Sequence, residues 1–370
     1  MLAISALAVT SCSSDDDKTS DTTVIVPGAF AGTLESGETA TLDASEEYIL
    51  TGAFVIKDGA QLTIPAGTVI KAQGGTSAYI AVAQGGKIFI NGTANNPVVM
   101  TSASSTPAEG DWGGLVICGR ANTNKGGSTG QTATSEVGNL LYGGTQDNDS
   151  SGSIKYLRVE YTGATFNNDK EFNGVSLFGV GSGTTFDYVQ SYKGGDDGIE
   201  FFGGAVNGTH LISVGSGDDS IDFADGWKGT GEYWYIKDGA KAGIEGSNNG
   251  DDGNAQPTTT ATLKNISVVG GGSEGGIYIK EGGGIWNVDN FYIDGFATGI
   301  NVKDNTESGD PVANAHINNG DIIFTNVRFE NVDMQTSYLG TTDFFSPSTT
   351  ANGAGNGAGV PDWAQGWSRF

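Results

Sequence analysis

The sequence predicts an all-β protein, specifically a right-handed single-stranded parallel β-helix with a cap at each end. Glycine is abundant, at 61 of 370 residues, and short runs of Val, Ile, Phe, Tyr and Thr lie between glycine-rich turns. This composition favours short strands joined by tight corners. A short acidic phrase, GDDGIEF at 195–201, also returns as GDDSIDF at 217–223. A repeat of that length is typical of a solenoid, in which each unit buries its apolar face only by stacking on its neighbours.

The N-terminal residues are expected to lie outside the folded body. An apolar run ends in VTSC, which resembles the lipobox of bacterial lipoproteins, so that residues 1–11 would be a signal peptide and Cys12 the lipidated residue. The following phrase, SSDDD, is similar to the surface-export signal of Bacteroidetes lipoproteins, and residues 12–23 would form an acidic tether. The resemblance implies a lipid anchor in the outer membrane and exposure at the cell surface.

Charge and cysteine content restrict the partners. The chain has 43 acidic and 18 basic residues, a formal net charge of −25. Such a chain repels nucleic acid, whose affinity comes mainly from phosphate neutralisation, so we expect no nucleic-acid partner. Besides Cys12 there is only Cys118, which lies in an apolar run and is expected to be buried rather than part of a disulfide framework. We expect a monomer.

Residues 24–370 are predicted to form one β-helix domain with its caps. Two strand families alternate with a shared period of about 22–24 residues, which indicates at least two strands per turn and about twelve rungs. No window shows helical periodicity. Long loops are expected at 122–151, 247–260 and 303–320, and the Trp-containing segment 361–367 is expected to fold back as a C-terminal cap.

The first strands carry a family resemblance. The phrases QLTIPAGTVIK at 61–71, GGKIFINGT at 85–93 and DWGGLVI at 111–117 resemble the entry region of parallel β-helix proteins of Bacteroidetes outer surfaces, within the pectin-lyase-like superfamily. This superfamily includes hydrolases, lyases, adhesins and scaffolds, so the resemblance implies a fold more than an activity.

Alternation along the strands predicts an outward row of carboxylates. If the isoleucines at 199, 221 and 244 point inward, the next residue of each strand points outward and stacks on its counterparts. The aspartates that precede these isoleucines extend the row around a corner. We call the whole set the acidic ladder: Asp196, Asp197, Glu200, Asp218, Asp219, Asp222 and Glu245.

Stacked like charges need compensation. At about 4.8 Å they repel by roughly a kcal/mol or more per pair. Carboxylates that share protons would remove this repulsion. A hard cation such as Ca²⁺ bound by the ladder would also remove it, as would lysines such as Lys193, Lys241 and Lys280 that reach over. The sequence leaves these three alternatives open.

One phrase in the ladder resembles a catalytic motif. GDDSI at 217–221 is similar to the paired-aspartate motif of polygalacturonases, which implies Asp218 and Asp219 as catalytic residues, and Lys280 lies in YIK where that family has RIK. The next rung has GIEG where the family has GHG, so the expected His and Arg are missing and enzymatic activity stays open. Trp227, Tyr233 and Tyr278 are expected to bind sugar rings.

These observations predict a cell-surface lipoprotein that binds an extracellular polysaccharide on a β-helix face, with Ca²⁺ at the acidic ladder. One alternative is a polysaccharide lyase or glycoside hydrolase. The other is a non-enzymatic adhesin or structural surface protein.

Overall fold

The computed structural model describes residues 22–126, 131–167, 170–303 and 310–370. In chain order the strands are β1 (Phe30–Leu34), β2 (Thr39–Thr41), β3 (Glu47–Ile56), β4 (Gln61–Pro65), β5 (Val69–Ala72), β6 (Ile80–Val82), β7 (Lys87–Asn91), β8 (Val98–Ser102), β9 (Leu115–Cys118), β10 (Thr132–Thr134), β11 (Leu141–Gly143), β12 (Gly152–Glu160), β13 (Thr165–Asn167) and β14 (Lys170–Glu171). They continue as β15 (Val175–Phe178), β16 (Thr185–Tyr192), β17 (Ile199–Phe202), β18 (Gly208–Val214), β19 (Ile221–Ala224), β20 (Thr230–Lys237), β21 (Ala242–Ser247), β22 (Thr260–Val269), β23 (Gly275–Lys280), β24 (Ile285–Asp294), β25 (Thr298–Val302), β26 (Ile322–Glu330), β27 (Met334–Thr336) and β28 (Phe345–Pro347). One α-helix, α1 (Pro311–Asn319), and two short 3₁₀ turns, Pro27–Ala29 and Asp362–Ala364, complete the described elements.

Parallel stacking of these strands confirms the predicted all-β parallel β-helix. One face, here called face A, stacks eleven strands in the described part of the chain, close to the number of turns expected: β1, β3, β6, β9, β15, β17, β19, β21, β23, β25 and β27. The longer strands between them, such as β16, β18 and β20, stack on one another in the same way. Both predicted strand families are therefore present.

The longer strands that alternate with those of face A are bent, which gives the solenoid three faces. In each of β12, β16, β18, β20, β22, β24 and β26 the bend lies at one residue with a φ between 50° and 58°. These residues align along the solenoid: Tyr156, Tyr188, His210, Tyr233, Asn265, Asn290 and Asn326. We call this set the bend column. A positive φ is unfavourable for bulky residues, but the rings of Tyr156, Tyr188 and His210 stack with centroids 4.3 and 4.1 Å apart, which compensates part of that cost.

The interior of the solenoid is packed with large side chains. Trp227, Trp234 and Trp286 are fully buried there. Trp286 fits because Gly246 faces it from β21: a Cβ at Gly246 would lie 2.2 Å from Trp286 Cζ2. The aromatic packing thus fixes a glycine in the strand that carries Glu245.

The loop at 303–320 contains a helix that the sequence analysis did not predict. At its start the side chain of Asp310 accepts hydrogen bonds from the N–H groups of Val312 and Ala313, and Gly320 ends the helix with a φ of 78°. Nine residues are too few to show periodicity, whereas Asp310 before Pro311 and Gly320 after the helix are ordinary capping signals. No helix within the described ranges is both long enough and apolar enough to cross a membrane.

Both ends of the described chain contact the solenoid. The predicted signal peptide, Cys12 and most of the tether lie outside the described residues, but Thr22 and Thr23, the last two residues of the predicted tether, pair with Thr39. The C-terminal segment folds back along the side of the solenoid instead of covering its end. There Trp367 contacts the bend column and its carbonyl accepts a hydrogen bond from Arg158.

Candidate functional site

The outward carboxylate row has the predicted register. Glu200 of β17 lies beside Asp222 of β19, and Asp222 beside Glu245 of β21, each in parallel pairing. Tyr278 of β23 continues the row on the far side of Glu245. The repeat length therefore places three carboxylates on successive rungs of face A.

The row is buried rather than open to solvent. Glu200, Asp222 and Glu245 are 9 %, 7 % and 4 % exposed. They are covered by an antiparallel hairpin formed by β10 and β11, here called the covering hairpin, which lies in the predicted loop 122–151. Tyr142 of this hairpin packs on Phe178 of face A, with ring centroids 5.1 Å apart. The long excursion thus covers the part of the acidic ladder formed by Glu200, Asp222 and Glu245.

Hydrogen bonds between distant loops hold this cover in place. The side-chain amide of Asn124 donates to the side-chain oxygen of Asn248 at 3.1 Å and to the carbonyl of Pro257 at 3.0 Å. Asn249 in turn donates to the side-chain oxygen of Asn124 at 2.9 Å. The hydroxyl of Thr123 donates to the carbonyl of Asp225. The predicted loops 122–151 and 247–260 are therefore joined over face A.

A cavity of about 230 Å³ lies between the cover and face A. Its lining residues with acidic or basic side chains are six acids and two lysines: Glu136, Glu200, Asp222, Asp225, Glu245, Glu281, Lys125 and Lys280. Aromatic side chains of Tyr142, Phe178 and Phe202 form the apolar part of the wall, and Phe178 and Phe202 stack at 4.1 Å. The cavity combines an acidic surface with an aromatic one.

Lys280 forms an ion pair at one end of the cavity. Its Nζ lies 2.6 Å from Glu245 Oε1 and 3.9 Å from Glu281 Oε1. Burial alone would lower the pKa of Lys280, but the charges of Glu245, Asp222 and Glu281 raise it above its ordinary value. The observed contacts of Lys280 are those of an ion pair, and its catalytic role stays a prediction.

Asp222 has an acceptor without a partner. Its Oδ1 atom is buried and has no hydrogen-bond partner, whereas Glu200 Oε2 accepts a hydrogen bond of 2.5 Å from Asn173 Nδ2. Burial, followed by the charge of Glu245, raises the pKa of Asp222 well above its ordinary value. Burial and the charge of Asp222 act in the same way on Glu200. Both carboxyls therefore favour a bound proton or a positively charged group.

Two aspartates of the ladder support the backbone of the next rung. Asp197 Oδ1 accepts a hydrogen bond of 2.8 Å from the N–H of Asp219, and Asp219 Oδ1 accepts one of 2.5 Å from the N–H of Ala242. Neither residue lines the cavity. Their observed contacts stabilise the corner between rungs.

A separate group of carboxylates lies at this corner, here called the corner cluster: Asp196, Asp197 and Asp218. Oxygens of the three lie within 4.8 Å of one another. Asp218 Oδ2 is 2.6 Å from Lys241 Nζ, while Asp218 Oδ1 is buried without a partner. Burial, then the charges of Glu171 and Asp218, raises the pKa of Asp196 to about 7.

The corner cluster offers hard oxygen donors and one buried oxygen without a partner, and this combination fits a divalent cation. Two further triplets of the described residues have the same spacing: Asp197, Glu200 and Asp222, and Asp219, Glu245 and Glu274. In the last of these Glu245 is already paired with Lys280. The corner cluster and the first of these triplets share Asp197, whereas the last shares no residue with them and includes Glu274 from outside the ladder. Among the described residues, lysines form ion pairs with the ladder at Asp218 and Glu245.

The three predicted sugar-binding aromatics have different positions. Trp227 is fully buried in the solenoid interior and donates its indole N–H to the carbonyl of Val206, so its predicted role is wrong. Strand alternation did not reveal this, because Trp227 follows a strand end. Tyr233 lies in the bend column, stacked on His210, and does not reach the ladder. Tyr278 is half-buried beside Glu245, and its sugar-binding role stays a prediction.

Several cavity residues were not found from the sequence. Lys125, Glu136 and Tyr142 come from the cover, whose sequence has no periodicity. Asp225 and Glu281 each follow a face A strand by one residue, where strict alternation would direct the side chain inward. Their positive φ values of 56° and 51° break that alternation, so it could not have revealed them.

Comparison with known proteins agrees with the fold. Residues 32–368 match the family described as "Pectate-lyase like beta helix domain". None of the curated proteins matches the chain.

Among solved structures, a variant catalytic domain of a GH87 α-1,3-glucanase in complex with nigerose is similar at 11 % identity and a TM-score of 0.30, over 85 % of this chain and 63 % of that chain. The enzymatically active domain of tailspike protein 2 of bacteriophage CBA120 has 13 % identity and a TM-score of 0.19, over 83 % of this chain and 40 % of that chain. The chain therefore spans less than two thirds of the length of these structures. On the family match over 32–368, the chain belongs to the pectate-lyase-like β-helix domain family.

Proposed function

We propose that this protein binds an extracellular polysaccharide, with one sugar unit seated in the cavity beneath the covering hairpin. The observation that carries the proposal is the unpaired, buried Oδ1 of Asp222 in the cavity wall. A buried acceptor without a donor costs about 1–3 kcal/mol, so the site favours a ligand that brings donors. Phe202 provides an apolar surface for the face of a sugar ring.

Calcium is proposed at the corner cluster of Asp196, Asp197 and Asp218. Ca²⁺ takes six to eight oxygen ligands, and Asp196 and Asp218 are partly exposed, so water can complete the shell. Asp218 Oδ1 offers a buried oxygen with no other partner. A bound cation would also neutralise the repulsion between these carboxylates.

The test uses affinity electrophoresis of the full chain in gels that contain neutral, acidic or amino polysaccharides. We expect retardation by at least one of them, lost in Asp222→Ala and kept in Asp187→Ala, a matched aspartate on another strand that pairs with His210. Failure of every polysaccharide to retard the protein would contradict the proposal and favour a structural surface protein.

Calcium is tested separately by calorimetry and thermal unfolding. Ca²⁺ should bind and raise the melting temperature of the native chain, since a ligand that binds only the folded state stabilises it. Asp218→Asn should remove both effects. Absence of binding heat in the native chain would refute the calcium site without affecting the cavity.

We also propose that the mature protein is attached to the outer membrane through lipid on Cys12 and displayed at the surface, as its N-terminal phrase predicts. Cys12→Ala should release the protein from membranes. Protease added to intact cells should digest the native form, and protection of that form would refute surface display.

Glycoside hydrolysis is a second candidate, favoured by the adjacent carboxyls of Asp222 and Glu245 in the cavity. Glu245 is held by Lys280, and the raised pKa of Asp222 suits a proton donor. Asp218 and Asp219, expected to be catalytic, do not line this cavity. Reducing-end assays on any retained polysaccharide test the candidate, and Asp222→Asn should abolish release if it holds.

A further inference from the structure

The charges around the cavity restrict the chemistry of its ligand. Six carboxyl side chains and two lysines line it. Both lysines already have acidic partners: Lys280 lies 2.6 Å from Glu245, and Lys125 lies 3.5 Å from Asp251. A sugar acid would add another negative charge to this lining. The field of the cavity therefore disfavours uronic acids and favours a positively charged group.

Acceptor geometry favours the same kind of group. Asp222 is 7 % exposed and its Oδ1 has no partner, and Asp222 lies between Glu200 and Glu245 on the rungs to either side. An ammonium group has three donors and no acceptor, so every hydrogen bond that it needs is met by carboxylate oxygens. A neutral hydroxyl would use one acceptor and leave the negative charge uncompensated.

Cavity size limits the ligand to one unit. A volume of about 230 Å³ is below the range of roughly 300–1,000 Å³ typical of pockets for drug-sized ligands. Phe178 and Phe202 stack on each other on face A, beside Glu200 and Asp222. A single pyranose ring with its apolar face on these rings would direct a substituent toward Asp222.

We infer that the sugar unit bound in this cavity is an amino sugar with a free ammonium group, held by Asp222 and Glu200. The inference rests on the proposed polysaccharide binding and specifies its ligand class. The corner cluster does not line the cavity, so a cation there and an ammonium group here are separate binding events.

The experiment is a calorimetric titration of the full chain with two monosaccharides, methyl β-glucosaminide and its N-acetylated form. They differ only at the nitrogen on C2, which carries an ammonium group in the first and a neutral acetamide in the second, and as monomers they avoid general attraction of polycations to an acidic protein. A charge-assisted hydrogen bond contributes enough for the free amine to bind at least about tenfold more tightly. Asp222→Asn should remove this preference, and Asp187→Asn should keep it.

Equal affinity for the two sugars, or tighter binding of methyl galacturonide, would overturn the inference. Cadaverine serves as an amine without a sugar ring. If it binds as tightly as methyl β-glucosaminide, the inference is overturned as well. If the N-acetylated sugar and neutral polysaccharides bind while the free amine does not, only this inference fails. If no saccharide binds, the proposed function fails with it.

Discussion

Replacing Lys280 by methionine should destabilise the protein strongly at neutral and alkaline pH and only weakly in acid. Methionine keeps most of the aliphatic stem but removes the charge that lies 2.6 Å from Glu245. Glu245 is 4 % exposed, so its carboxylate would lose its partner in a buried setting. Breaking a buried pair by removing one member costs about 3–5 kcal/mol.

The pH dependence follows from the proton that Glu245 can bind. Burial raises the pKa of Glu245 above its ordinary 4.5 while Lys280 opposes that rise, so the substitution raises the folded-state pKa further. A raised folded-state pKa means that stability is complete below the unfolded value and is lost as pH rises through the folded value. The variant should therefore approach native stability near about pH 4.5 and lose the full amount toward about pH 8.

Urea unfolding at both pH values measures the effect, and two controls identify its cause. Lys57→Met breaks a pair of similar length, 2.7 Å, whose side chains are 50 % and 60 % exposed, and should cost less than about 1 kcal/mol. The double variant Lys280→Met/Glu245→Gln should recover most of the loss. Equal losses for the buried and exposed pairs, or a loss independent of pH, would refute the reasoning.

Three further predictions test other parts of the structure. Gly246→Ala should lower the free energy of unfolding by about 1–3 kcal/mol, because its Cβ would overlap Trp286, whereas Gly28→Ala, with no atom within 4 Å, should change little; equal effects would contradict the packing. Burial raises the pKa of Asp225 to about 6, so this residue should contribute a loss of up to about 3 kcal/mol as pH rises from below 4 to above 6, and Asp225→Asn should reduce the slope in urea titrations by that share. Burial raises the pKa of Cys118 to about 12, so a thiol reagent should label it only in denaturant; rapid labelling of the native protein would be contrary to its burial.

The repeat alone determined the fold and the order of the acidic row. Rungs of nearly constant length must stack residues of equal position, so Glu200, Asp222 and Glu245 could be aligned without coordinates, and pairing confirms that alignment. The apolar run that contains Cys118 also predicted its burial correctly. These features depend on local periodicity, which a sequence displays directly.

The cover, the cavity and the charge state of the row were decided by tertiary structure. The contact between Asn124 and Asn248 joins residues 124 positions apart in loops without periodicity, and it is this closure that buries Asp222. Whether an outward carboxylate meets water, a lysine or an empty pocket depends on what lies above it, and no spacing rule encodes that. The sequence by itself therefore determined which carboxylates stand together, while only the folded loops decided that they line an acidic cavity, because burial is a property of contacts between distant segments.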